Sequence, residues 1–231
     1  MIENLIKWKE GVYEFNTRLI KSLEEKSNYK DLYFGFEIFD GKPITNPEIL
    51  FIGINPGRGN GDSGKKIIET DQISYLDIYN DDYRDDYPNT YHLAEKTIKF
   101  FKLINWSDEK IKSIFKEKVV KSNFFHLATE NINDLKKVID DIQYSNEYFK
   151  KSAYFSIQLI NILKPKVVIL EGKTVFNNIV EQCYEQKVWT SNDFGYLYDK
   201  VNNTHIIGYK RSSFTNENRE FFTNKLQDIL S

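Results

Sequence analysis

Four short apolar runs, parted by stretches with helical periodicity, constrain the fold of this chain more than any other feature. They are Glu48 to Ile54 (EILFIGI), Lys118 to Phe125 (KVVKSNFF), Lys166 to Gly172 (KVVILEG) and Thr204 to Tyr209 (THIIGY). Runs of this length and composition read as strands buried on both faces. Between and around them lie helix patterns. Leu5, Trp8, Val12, Phe15, Leu19 and Leu23 recur at steps of three and four, which predicts an N-terminal helix over residues 2–26. Further helices are expected over His92–Ile104, Ser107–Glu117 with Ser107 as N-cap, Asn146–Leu163 ended by Pro165, Thr174–Gln182, and Thr215–Leu230. Glu217 and Glu220 lie near the positive end of the last one.

Strands alternating with helices indicate crossover connections and a parallel sheet covered on both sides. The expectation is an α/β chain: a three-layer α/β/α sandwich around a four-stranded parallel sheet in the order 2-1-3-4. No internal repeat and no Pro/Ser-rich linker divides residues 1–231, so one domain is expected. Open parallel sheets bind ligands beyond the carboxyl ends of their strands. That rule selects Gly53–Gly59, Asn123–His126, Glu171–Thr174 and Lys210–Phe214, each beginning where an apolar run stops.

Composition narrows the class. The chain has 231 residues, 40% hydrophobic and 15% aromatic, which is globular rather than disordered. No apolar run approaches the roughly 18 residues a membrane span needs, and MIENLIKWKEGVYEF lacks the apolar stretch of a secretory signal. A cytoplasmic protein with no membrane association is expected. Cys183 is the only cysteine, and His92, His126 and His205 are scattered, so neither metal nor cofactor is expected. The net charge of −2 hides an uneven distribution. Residues 71–87 (DQISYLDIYNDDYRDDY) hold six Asp and one Arg, and the rest of the chain therefore sums to +3. A basic face for nucleic acid is compatible with that balance. The acidic segment reads as a solvated insertion or as a candidate surface for a protein partner.

The first strand runs into a Gly-rich loop, ILFIGINPGRGNGDSGKK, which admits a phosphate cradle. Gly59 to Lys65 fits G-x-x-x-x-G-K, but the next residue is Lys66 where a magnesium-binding Ser or Thr is needed. Asp62 would repel phosphate, and the strand ends too far upstream. A nucleotide-binding P-loop is thus the weaker alternative, and RGNGDSGKK reads as a linker towards the acidic segment.

The residues also resemble a family. GINPG (Gly53 to Gly57) is similar to the first motif of the uracil-DNA glycosylase superfamily, in particular its mismatch-specific and single-strand-selective branches. KVVKSNFF resembles the strand that ends in a base-reading Asn. LKPKVVILEGKTVFNNI resembles the family's helix–strand–helix unit, and KRSSF stands where the family has His-Pro-Ser-x-Leu. The resemblance covers roughly residues 45–230. It implies a uracil-DNA glycosylase-like fold and a monofunctional DNA glycosylase acting on uracil or another altered pyrimidine, such as a modified cytosine in foreign DNA.

Residue by residue, the resemblance makes Asn55 the catalytic group that positions water, with Lys210 where relatives carry a charge-supporting histidine. Gly53, Ile54, Gly57 and Asn123 fall at base-binding positions, and an amide such as that of Asn123 suits an imide edge. Residues 56–74 contain no aromatic to stack on an extruded base, so Tyr75, or else Tyr79, takes that place. Arg58, Lys173, Arg211, Ser212 and Ser213 are expected on the DNA backbone, and Phe214 as the wedge that fills the vacated stack. His126 is a further candidate for the same cleft or a structural core histidine. A catalytically silent nucleic-acid-binding protein of the same fold is the principal alternative.

Overall fold

The computed structural model describes residues 2–26, 28–57, 66–68, 101–102, 105–142, 145–184, 194–210 and 216–231. In chain order these form α1 (Ile2–Lys26), β1 (Tyr33–Glu37), β2 (Ile49–Gly53), β3 (Lys66–Ile68), α2 (Asp108–Glu117) and β4 (Val119–Asn123). There follow β5 (Leu127–Thr129), α3 (Ile132–Asp140), α4 (Ser145–Leu163), β6 (Val167–Glu171), α5 (Lys173–Cys183), β7 (Phe194–Asp199), β8 (Thr204–Tyr209) and α6 (Asn216–Leu230). Ser107 caps α2 through a bond accepted from the Lys110 amide.

The main sheet has five strands in the order β4-β2-β6-β8-β7. Its first four strands are parallel and carry the expected order 2-1-3-4. The expected count is corrected by β7, which pairs antiparallel with β8 at the edge. Its sequence, FGYLYD, leaves Tyr196, Leu197 and Tyr198 partly or fully exposed instead of forming a buried apolar run, as suits an edge strand. A second sheet, ordered β3-β1-β5, was not anticipated at all. Gly35, at φ 99°, breaks the apolar pattern of β1, and the β1–β5 pairing shifts register between Tyr33 and Phe36. Lys66–Ile68, expected as linker and its continuation, is the strand β3, which pairs parallel with β1. A P-loop needs a helix directly after its lysine, and a strand begins there instead.

Side chains alternate across the strands of the main sheet. Leu50, Ile52, Val120, Val168, Leu170 and Ile206 face α1, α4 and α5, while Ile49, Phe51, Val119, Val167, Ile169 and Ile207 face α2 and α6. Helices therefore cover both faces of a mostly parallel sheet. α1 is anchored on α4 by the Trp8 indole, which donates to the Phe155 carbonyl at 2.9 Å. The free edge of β4 is covered by the segment after β1, through a bridge between Phe39 and Ser122.

Gly208 of β8 shows how tightly α5 lies on the sheet. A Cβ there would stand 2.3 Å from a ring carbon of Phe176 and 2.7 Å from its Cβ. Gly208→Ala is expected to cost about 1–3 kcal/mol by overpacking, read as a lower urea midpoint. Adding Phe176→Leu should return part of that loss, since it removes the ring carbons from the clash although the Cβ contact stays.

Candidate functional site

The carboxyl ends of β4, β2, β6 and β8 lie side by side, and their registers place four residues in one row. Gly53 pairs with Asn123, and Glu171 pairs with Tyr209. Gly53 and Glu171 stand one step beyond the Ile52–Leu170 pair. By the alternation above, the four belong to the face that carries α2 and α6.

Gly53 is there for want of space. A Cβ would lie 2.6 Å from Asn123 Oδ1 and 3.3 Å from Glu171 Oε2. The Asn123 amide therefore lies across the glycine, towards the Glu171 carboxylate, and both side chains are buried. Glu171 accepts a long bond from the Tyr209 hydroxyl (3.4 Å) and faces Lys121 Nζ at 3.7 Å. Lys121 is also 3.5 Å from Asp40 Oδ2. A buried lysine and a buried glutamate thus compensate each other beneath the row. The Asn123 side chain makes no hydrogen bond among the described residues, although it is only 6% exposed.

Asn55 is half-buried, and the chain leaving β2 is zipped onto the segment after β4. Phe124 N donates to Gly53 O (2.8 Å), Phe125 N to Ile54 O (2.9 Å) and Thr129 N to Pro56 O (3.3 Å). The Asn55 amino group faces acceptors only: Pro56 O at 2.9 Å, Leu127 O at 3.5 Å and Thr129 Oγ1 at 3.0 Å. The Thr129 hydroxyl spends its own proton on Asn131 O at 2.9 Å, so its oxygen must accept. This chain of bonds fixes the amide's orientation. Asn55 Oδ1 remains an acceptor with no partner among the described residues.

Ile54 packs against the core on the α1 side. Gly57 is exposed, and a Cβ added there would meet nothing within 4 Å. Lys210 is exposed just past the end of β8, beyond Tyr209. Lys173 opens α5 after Gly172, whose φ of 130° in the turn from β6 suits only glycine. Gly53, Ile54, Asn55 and Asn123 are thus brought together at β2 and β4, while Lys173 and Lys210 stand at the ends of β6 and β8. Arg58, Tyr75, Tyr79, Arg211, Ser212, Ser213, Phe214 and the acidic segment 71–87 lie outside the described residues.

Lys121 and Thr129 had no place in the sequence-based site, and Glu171 stood in it only as the start of the strand-end segment Glu171–Thr174, with no role of its own. Their signal was a lysine inside VVKSN and a glutamate closing VVILE, since charges in a strand buried on both faces demand partners. Nothing local marked Thr129, which meets Asn55 across 74 residues of sequence.

His126 proves to be a core residue. It is buried edge-on to Trp8, and its Nε2 has no hydrogen-bond partner among the described residues. A narrow crevice between Trp8, Ile52, Ser122, Asn123, His126 and Ser156 runs behind the row. Burial pushes the His126 pKa down to about 3 from 6.5. The unfolded chain takes a proton near 6.5 that the folded chain refuses. Stability is therefore whole above that pH and is lost as pH falls towards 3, by up to about 1.4 kcal/mol per unit. Urea midpoints at pH 7 and pH 5 should show this loss, and His126→Phe should flatten it by one proton's worth. The Cys183 thiol is also inert, since burial lifts its pKa to about 11.

Among the described residues no group of three or more His, Cys, Asp or Glu side chains is placed to hold a metal ion. No helix among them is long and apolar enough to cross a membrane. No protein-family model matches the chain, and no curated protein matches it.

Proposed function

We propose that this chain is a monofunctional DNA glycosylase of the uracil-DNA glycosylase-like fold. It hydrolyses the N-glycosidic bond of uracil or another altered pyrimidine turned out of DNA, without metal or cofactor. The observation that carries this is the clamped amide of Asn55, whose nitrogen is spent on three acceptors and whose oxygen is left to hold a water. It stands at the strand end where open α/β sheets bind ligands, beside the buried amide of Asn123, which makes no hydrogen bond among the described residues.

The chemistry asks little more of the protein than placement. A water donates one hydrogen to Asn55 Oδ1, which turns its lone pair towards the sugar C1′. The bond from C1′ to the base nitrogen breaks with its electron pair passing to the base, and the water oxygen bonds to C1′. The water gives up a proton to solvent, and the departing base takes one. Asn123 holds the polar edge of the base, and Lys210 favours the negative charge that the base acquires. Ile54 and Gly57 offer backbone to the base. Arg58, Lys173, Arg211, Ser212 and Ser213 hold phosphates, Phe214 fills the emptied stack, and Tyr75 stacks on the base. An amide is a weaker base than a carboxylate, so turnover is expected to be slow.

The test is incubation of the protein with oligonucleotides that carry uracil, mismatched or modified pyrimidines, followed by alkali. Scission at the altered base supports the proposal. DNA binding with no scission on any substrate overturns it and leaves a catalytically silent binding protein.

A further inference from the structure

Phe221 on α6 and Tyr198 on β7 are 52% and 39% exposed, and both lie on a line that starts at the proposed site. Residues paired across two strands point to the same side of a sheet. β7 pairs Phe194 with Tyr209, Tyr196 with Ile207 and Tyr198 with His205, so its three aromatics share the face that carries α6. Phe194 stands opposite Tyr209, a member of the row. It supports the Phe221 ring edge-on at 4.8 Å and also meets Phe222, which lies 5.6 Å from Tyr209. One turn further along α6, Lys225 Nζ lies 4.6 Å from the centre of the Tyr196 ring. Tyr198 then lies on the His205 ring at 4.8 Å, and its hydroxyl is tied to Asn203. Alternate residues of a strand are about 7 Å apart and a helical turn rises about 5 Å. Phe221, Lys225 and Tyr198 therefore follow one another outward from the row.

We propose that this strip is a stacking track for single-stranded DNA beside the target base, with flanking bases on Phe221 and Tyr198 and a phosphate on Lys225. The inference rests on the base-binding site proposed above, which the strip joins at Tyr209. Stacking a base needs an accessible ring that is already held in place. Phe194 backs Phe221, while His205 and Asn203 fix Tyr198, so little side-chain freedom is lost on binding. An ammonium set between two such rings suits nucleotides, whose phosphates alternate with flat bases, better than an aliphatic partner. In a duplex the bases are stacked on one another and offer no free face to the strip. Glu220 and Asp228 are also exposed on α6 and offset the charge of Lys225. Stacking, more than attraction to phosphate, must then supply the affinity.

The test is anisotropy of the full chain with a fluorescein-labelled oligothymidylate strand and with the same strand paired to its complement. Phe221→Ala and Tyr198→Ala should each weaken single-strand binding about tenfold and leave its salt dependence unchanged. Tyr198→Phe keeps the ring and should stay within about twofold of the native chain. Lys225→Ala should make the slope of log affinity against log salt shallower by about 0.7, one phosphate's worth. Duplex binding should be weaker and indifferent to both alanine substitutions. Thermal melting identifies a variant that fails to fold, and Phe221→Trp, which keeps a ring at that position, should then bind at least as tightly as the native chain. No single-strand binding by the native chain, unchanged affinity in both alanine variants, or equal losses on strand and duplex would each overturn the inference. Base release from altered strands with affinity indifferent to both rings removes the track and leaves the glycosylase proposal standing. Ring-dependent binding with no release of any base does the reverse.

Discussion

Asn55→Ala is expected to slow base release by about 10²-fold or more, with DNA affinity within about twofold of the native chain. The expectation follows from what the side chain does at each end. Its nitrogen is held by Pro56 O, Leu127 O and Thr129 Oγ1, and its oxygen, which has no partner among the described residues, is the atom proposed to hold the water. Alanine removes that acceptor and touches none of the basic residues assigned to phosphate. Asn55→Asp is not expected to be an improved catalyst, although a carboxylate is the stronger base. One of its oxygens would be pressed against the carbonyls of Pro56 and Leu127, where the native amide donates. A stability loss of about 1–3 kcal/mol should accompany it. Single-turnover release, anisotropy and thermal melting on the three proteins separate these effects. A shift in melting alone would reduce Asn55 to a turn residue.

The second large effect concerns stability. Lys121 and Glu171 have side chains only 8% and 1% exposed, and they face each other at 3.7 Å. Lys121→Met leaves a carboxylate buried without its counter-charge and is expected to cost about 3–5 kcal/mol. The double variant Lys121→Met with Glu171→Leu removes both charges and should recover most of that loss, since two apolar side chains replace a desolvated pair. Urea denaturation of the two single variants and the double measures the coupling directly. Equal losses that simply add would mean that the two groups do not depend on one another.

The parallel strands were legible from the chain because strands buried on both faces are mostly apolar, as ILFIG and the first four residues of VVILE are. The edge strand β7 has partly exposed residues and carries no such mark, β5 is only three residues long, and β1 is interrupted by Gly35 and closed by Glu37, which is why they escaped. Helix α3 escaped for a related reason: its apolar residues Leu135, Val138 and Ile139 occupy barely one turn of INDLKKVID. At the site, Asn55 and Asn123 were legible as polar residues where apolar runs end, and parallel register brings such ends together. What they touch was not legible. Asn55 is fixed by Thr129 and Leu127 from a strand of the other sheet, and no local pattern announces a contact of that kind. Glu171 was read as the end of a strand, and its buried partners, Lys121 on β4 and Tyr209 on β8, come from other strands of the sheet.

We propose that this chain removes a base from DNA by hydrolysis. Mass spectrometry of an oligonucleotide carrying one altered pyrimidine, after incubation with the native protein, tests it most directly. The proposal predicts a strand whose mass has fallen by the base and gained the hydroxyl of water, together with the free base in solution. The Asn55→Ala protein, binding the same strand, should yield about a hundredth as much. Unchanged strand masses across uracil, mismatched and cytosine-type substrates, with DNA bound throughout, would contradict it.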